Sequence, residues 1–221
     1  MFGKKNYTVE PTAADSDVLI QLSEPAKITR KTRVSIPIQY KAIALVDQKP
    51  LFRIEPCVDK LFVKAYGKEY IGKQLRIAFI ATRTLTQSPW GFGNIQVKNE
   101  RLRETYRIGA NGRFSVEIAD YAKMLWSFPN AKNITIAQVR EKTISTIKTV
   151  GTPILGEYFS KTETSIFEMN SMLGDFRNKL MTALQNERVF YDMGIRVSSL
   201  TVDGFHVNEE DLELIRNRIN A

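Results

Sequence analysis

Apolar side chains recur every second residue through much of the first half of the chain and about every 3.6 residues through much of the second. That change of period predicts strands first and helices after them. Val34, Ile36, Ile38 and Tyr40 alternate as in a half-buried strand, with Pro37 placing it at an edge or a bulge. A second strand is predicted over 42–46. Asp47-Gln48-Lys49-Pro50 carries turn chemistry, and Leu51, Phe52 and Ile54 resume the extended pattern beyond it. Two more strands, 61–66 and 74–82, are joined through Gly67 and Gly72; Leu75, Ile77, Phe79 and Ala81 share one face of the latter, with Arg76 and Thr82 on the other. Ser88-Pro89-Trp90-Gly91-Phe92-Gly93-Asn94 reads as a loop pinned by its two aromatics. Extended structure resumes over 102–118, where Asn111-Gly112 builds a type I′ hairpin or a bulge, because both residues tolerate positive φ.

After Asp120 the helical period takes over. A short helix is predicted over 121–126. Ile136, Val139, Thr143, Ile147 and Val150 form an apolar stripe that Thr152-Pro153 stops, kinks and restarts. Ile166, Met169, Leu173, Phe176, Leu180 and Leu184 form the longest stripe, bounded by Gly194, a residue suited to the left-handed position past a helix C-terminus. A last strand is predicted over 195–205. Asn208 then caps a final helix whose first turn holds Glu209, Glu210 and Asp211, favourable against the positive end of the helix dipole.

Strands followed by helices and closed by one more strand indicate an α+β fold, an antiparallel or mixed sheet meander followed by amphipathic helices, rather than a doubly wound parallel sheet. Residues 1–26 read as a polar, loosely held lead-in, with structure beginning near Lys27. Residues 27–206 form the α+β domain, and 207–221 the start of a C-terminal helix that continued heptads would extend into a coiled coil.

Composition narrows the function. Of 221 residues, 43% are hydrophobic, enough to bury a core, which removes wholesale disorder. The densest apolar runs, 42–46 and 77–81, are far shorter than the ~18 residues of a membrane span, and no apolar region of a leader follows Met1. Cys57 is the single cysteine, a usage that suits a reducing compartment. A cytoplasmic protein is expected, at most peripheral to the inner face of the membrane.

The net charge is +8, and residues 61–113 hold ten basic side chains against three acidic ones. Lys64, Lys68, Lys73, Arg76, Arg101, Arg103 and Arg107 occur there among Phe62, Tyr66 and Tyr70, a mixture that can neutralise phosphates and stack bases. Nucleic acid, anionic lipid or an acidic protein all answer to that chemistry, and so does an ordinary solvated sheet face.

Catalytic chemistry finds little support. Every histidine-dependent scheme has to use His206, which sits before a helix with no GxSxG or HExxH around it. Cys57, between Pro56 and Val58, has no neighbouring cysteine or histidine. Gly91-Phe92-Gly93 lacks the third glycine of a dinucleotide loop, with Gln96 in its place. The acidic groups Asp15/Asp17 and Glu209/Glu210/Asp211 fall in the polar lead-in and at the capped helix start. No enzyme, cofactor or metal site is expected.

The run Tyr-Arg-Ile-Gly-Ala-Asn-Gly-Arg-Phe-Ser-Val-Glu-Ile-Ala-Asp-Tyr-Ala-Lys-Met-Leu-Trp over 106–126 resembles the SPFH or Band 7 family of stomatins, prohibitins and flotillins. There a strand passes through a glycine, continues as alternating aromatic and aliphatic residues, and ends at Asp or Asn before a short helix. Two helices over 139–159 and 166–192, then Met193-Gly194-Ile195-Arg196-Val197 entering a strand, extend the likeness, which covers roughly 32–221. Ser88-Pro89-Trp90-Gly91 followed by Ile95 is most similar to the virion-core-like subgroup. The proline usual after the last strand is replaced by Val207-Asn208. The resemblance implies a non-enzymatic scaffold that self-associates, often at a membrane surface, and organises partner proteins. In the final helix Leu212, Ile215 and Ile219, at spacings of three and four, form a narrow seam for packing on its own domain or on a neighbouring subunit. Homo-oligomers and protein partners are therefore expected ahead of nucleic acid.

Overall fold

The computed structural model describes residues 8–11, 17–81, 85–101, 103–128 and 131–219, without the side chains of residues 85, 86 and 219. The first eight strands are β1 (Thr8–Val9), β2 (Val18–Leu22), β3 (Ala26–Lys27), β4 (Arg33–Ile36), β5 (Tyr40–Val46), β6 (Lys49–Ile54), β7 (Cys57–Leu61) and β8 (Gln74–Ala81), with helix α1 (Phe62–Tyr66) after β7. There follow β9 (Leu85–Asn99), β10 (Glu104–Ile118), α2 (Tyr121–Ser127), β11 (Asn133–Thr135) and α3 (Ile136–Ser160). The chain ends with α4 (Leu173–Gln185), α5 (Arg188–Met193), β12 (Ile195–Leu200), β13 (Gly204–Val207) and α6 (Glu209–Ile219). The class is α+β with antiparallel and mixed sheets, as the change of period predicts. Packing divides the chain into two compact units, Met1–Arg83 with Phe128–Val139 and Thr84–Ser127 with Arg140–Ala221, where the sequence pattern suggests one body over 27–206.

In the first unit a six-stranded sheet, β11-β2-β8-β5-β6 with β3 also on β8, accompanies a three-stranded sheet, β1-β4-β7, in which β1 runs parallel to β4. Tyr40, Ala42, Ala44 and Val46 on β5 and Leu75, Ile77, Phe79 and Ala81 on β8 share one core cluster with Val34, Ile36 and Phe62. Each large aliphatic or aromatic side chain buried there contributes on the order of 1.5–3 kcal/mol. Asp47 and Gln48 both have positive φ and close the β5–β6 hairpin, as their turn chemistry predicts.

Three expectations fail in this unit. Structure starts before Lys27: β2 pairs with β8 and β11, and its Leu19 and Ile20 are buried, because three apolar residues suffice for a strand once two neighbours flank it. The alternation from Val34 breaks at Pro37, leaving Ile38 in a turn and 87% exposed. Finally, 61–66 is not a strand. β7 ends at Leu61 and α1 begins, so that Phe62 and Tyr66, four apart, stack at 4.9 Å and both meet Phe52.

The second unit is built on β10, which pairs with β9 along one edge and with β12 and β13 along the other, all antiparallel. Ser88-Pro89-Trp90-Gly91-Phe92-Gly93-Asn94, expected as a loop, lies inside the 15-residue strand β9. Its turn-forming residues serve two register shifts, near Gln87 and Asn94, whose φ angles are positive. Trp90 is buried and its Nε1 donates to the Thr201 carbonyl at 3.2 Å, so the pinning role holds although the loop does not. Asn111-Gly112 makes no hairpin turn; β10 runs straight through it. The expected single strand over 195–205 is two, because the register shifts by one residue between Phe114↔Leu200 and Asn111↔Gly204, opposite Gly112.

Among the helices, Asp120 Oδ1 accepts from the amides of Ala122 and Lys123 and caps α2. α3 continues unbroken through Pro153, contrary to the predicted stop. The long stripe from Ile166 is split: a 3-10 turn covers Met169–Met172, α4 starts at Leu173, and Glu187 caps a separate α5. Gly194 adopts the left-handed conformation predicted for it (φ 69°) and ends α5. Among the described residues no helix is long and apolar enough to cross a membrane.

Candidate functional site

Charge is divided between the units unequally. The first contains sixteen basic and eight acidic residues; the second contains sixteen of each, so the whole net charge of +8 belongs to the first. The basic segment 61–113 is divided between the two units. Lys64 on α1, Lys68 at the start of a 3-10 turn, Lys73 and Arg76 lie in the first unit, and Arg101, Arg103 and Arg107 in the second. Arg76 donates from Nε to the Ser23 carbonyl at 3.1 Å. Arg101 pairs with Glu163.

Arg107 is occupied internally. Its Nε donates to Asp211 Oδ2 at 2.9 Å and its Nη2 to Asn208 Oδ1, Glu210 Oε2 and Asp211 Oδ1 at 2.9–3.1 Å, while its backbone N–H donates to Asp211 Oδ2 at 2.7 Å. Asn208 in turn donates from its backbone to the Arg107 carbonyl and caps α6 through Oδ1, as predicted. The acidic first turn of α6 therefore takes over the edge of β10 where β13 ends. Arg107 belongs to this clasp rather than to a polyanion surface. The Arg107 guanidinium holds the Asp211 carboxyl below its ordinary range. A carboxyl lowered in the folded state stabilises above its unfolded pKa and loses that contribution as pH falls through the folded one. Arg107→Gln is expected to speed amide exchange in α6 selectively, and acidification below the ordinary Asp range to do the same to the unaltered chain; amide exchange resolved by segment reads both.

The final-helix seam is largely spent. Ile215 is 3% exposed and Leu212 half-buried, both within the second unit, while the Ile219 side chain lies outside the described residues. Leu214, on the opposite side, is exposed. Phe62, Tyr66 and Tyr70 offer no stacking platform either. Phe62 is fully buried, and all three rings pack around Phe52 at 4.9–6.3 Å between centroids.

Each candidate chemical group has its own local setting. His206 is exposed, with Nε2 2.6 Å from Asn111 Oδ1. The half-buried Cys57 thiol points at the Val34 carbonyl, 3.6 Å away. Asp15 lies outside the described residues, and Asp17 is exposed. Among the described residues no three His, Cys, Asp or Glu side chains could hold one metal ion. On β10, Glu104 Oε2 is buried with no hydrogen-bond partner among the described residues, and the Tyr106 hydroxyl is buried beside Asn99; burial raises the Glu104 carboxyl and pushes the Tyr106 hydroxyl up to about 12. A shallow cavity of about 410 Å³ between α3 and α4 is lined by Ile154, Glu157, Tyr158, Lys161, Met172 and Lys179. Its ionisable groups satisfy one another: Lys161 reaches Glu157 at 2.6 Å, and the Tyr158 hydroxyl donates to Asp175 at 2.8 Å.

Sequence periodicity does not reveal the exposed apolar surface on α2 and α5. Trp126 on α2 is 67% exposed and Tyr191 on α5 68%. The Lys123 ammonium stands 2.9 Å from the Tyr191 ring centroid, and Ser127 Oγ donates to the Asp192 carbonyl, so the two helices present these residues together. Only aromatic side chains left outside an otherwise periodic stripe could have signalled it. No family model matches this chain, and no curated protein sequence matches it.

Proposed function

We propose that the chain is a non-enzymatic scaffold of the stomatin and prohibitin kind, joining copies of itself or partner proteins through the second unit. The observation that carries this is the exposure of Trp126 and Tyr191 on the paired helices α2 and α5. Large aromatics are costly to leave in water, and a cluster of them on a unit with no net charge suits protein contact better than solvation. The resemblance over 106–126 and the order of strands and helices support the same reading. Contact through α2 and α5 replaces the α6 seam, whose Ile215 is already covered. The double substitution Trp126→Ser and Tyr191→Ser is expected to lower the weight-average mass in sedimentation velocity at high concentration and leave the fold intact. An unchanged mass distribution contradicts the assignment of the contact to these helices.

A second reading, docking to a polyanion, is favoured by the confinement of all net charge to the first unit.

A further inference from the structure

Six exposed cations come together at one end of the first unit although the sequence scatters them from 27 to 73. β3 lays Lys27 opposite Gln74. The Ile28 amide donates to the Lys73 carbonyl at 2.8 Å, and the Gly72 amide to the Ile28 carbonyl at 2.9 Å. Residues 29–32 close a tight turn, in which the Thr29 amide donates to Thr32 Oγ1 and the Thr32 amide to the Thr29 carbonyl, so Arg30 and Lys31 occupy its tip. The Phe62 amide donates to the Thr32 carbonyl, bringing α1 with Lys64 and the following turn with Lys68 to the same end. None of Lys27, Arg30, Lys31, Lys64, Lys68 and Lys73 forms an ion pair with a described residue. Of the carboxylates close by in the fold, that of Asp47 accepts the Gln74 amide at 3.0 Å, and that of Glu69 folds back over Gly67.

We infer that this end is a binding site for arrays of phosphate groups, contacted as phosphates and not through bases or acyl chains. This goes beyond the scaffold reading and rests on different residues. Five of the six cations are lysines, flexible point charges that suit phosphate oxygens without demanding a fixed geometry. Of the aromatic rings nearby, Phe62 is buried, and the half-buried Tyr66 and Tyr70 pack on Phe52 with Lys60 and Lys73 over their rings, so unstacked bases find no open platform. Among the described residues Ile71, between Lys68 and Lys73, is the one large aliphatic exposed at this end, at 38%; the most exposed, Ile38 and Val58 at 87% and 90%, lie toward the other end of the β4–β7 ladder, where Ile36 pairs with Cys57, whereas the cationic end is at Arg33↔Leu61. A bilayer-binding loop would carry such residues among its lysines. What fits is a bare run of phosphates, presented by an inorganic polyphosphate chain or by the outside of a nucleic-acid duplex.

The test is fluorescence anisotropy with labelled inorganic polyphosphate, a 20-base-pair duplex and a single strand of equal length, together with flotation on acidic and neutral vesicles. Binding to polyphosphate, duplex or both is expected, and which of them binds identifies the source. For the duplex the slope of log K against log salt is expected between about −3 and −5, from ~0.9 per phosphate contact. Lys64→Gln, Lys68→Gln and Lys73→Gln together are expected to weaken binding at least about tenfold at low salt and each to reduce the slope by roughly one, with the circular dichroism spectrum unchanged. Arg101→Gln with Arg103→Gln, in the second unit, leaves binding as it is. Absence of binding to both phosphate probes, salt-independent binding, tighter binding to the single strand, capture by acidic vesicles alone, or equal loss in the second-unit control overturns the inference.

Discussion

Replacing Phe62 by alanine is expected to destabilise the first unit by about 3–5 kcal/mol, the range for deleting a fully buried aromatic ring. Phe62 is completely buried and meets Phe52 and Tyr66, while its amide holds the 29–32 turn through the Thr32 carbonyl. The loss spreads beyond one cavity, since α1 has only five residues and no side-chain cap, and a helix of that length does not persist without tertiary packing. Urea unfolding, followed by amide exchange within residues 17–81, should show a lowered midpoint for this unit first. A chain with the parental midpoint would mean that the aromatic cluster does not hold α1 in place.

Gly112→Ala is expected to cost the second unit on the order of 3 kcal/mol. A β-carbon at Gly112 would press into the Thr201 carbonyl and stand 3.0 Å from Trp90 Cε2. That carbonyl is the acceptor for Trp90 Nε1, so the added methyl group must displace either β12–β13 or the indole. The chain has two tryptophans, and with Trp126→Phe as background the remaining emission reports Trp90 alone. A red-shifted emission and a lower melting temperature are expected together. Retention of both parental values would show that the strand connection opposite Gly112 yields without cost.

These two sites also show where sequence periodicity stops informing. Phe62 and Tyr66 suit either period: apolar residues lie at 61, 62, 63, 65 and 66, and only the position of Phe52, brought in by the β5–β6 hairpin, makes the four-residue spacing the favourable one. Asn111-Gly112 has the chemistry of a tight turn, yet three other strands pair along β10 and leave no room for one; here glycine serves close approach rather than chain reversal. By contrast, Leu75, Ile77, Phe79 and Ala81, Gly194 and the Asn208 cap were legible, because each depends on a local rule that tertiary context reinforces. The surfaces were harder. Charge counted along the chain places the excess in 61–113, but Arg107 and Arg101 find acidic partners and Lys27, Arg30 and Lys31 join through strand pairing that no run of residues announces. Exposure of Trp126 and Tyr191 depends on how two short helices lie against one another.

If the protein works by joining copies of itself, association must be visible without any substrate. Light scattering on the intact chain across a concentration series measures this most directly. A mass that climbs above the 25.2 kDa of one chain as concentration rises, and falls back when Trp126 and Tyr191 are replaced by serine, is the predicted result. A folded chain that stays at one-chain mass throughout the series would contradict it.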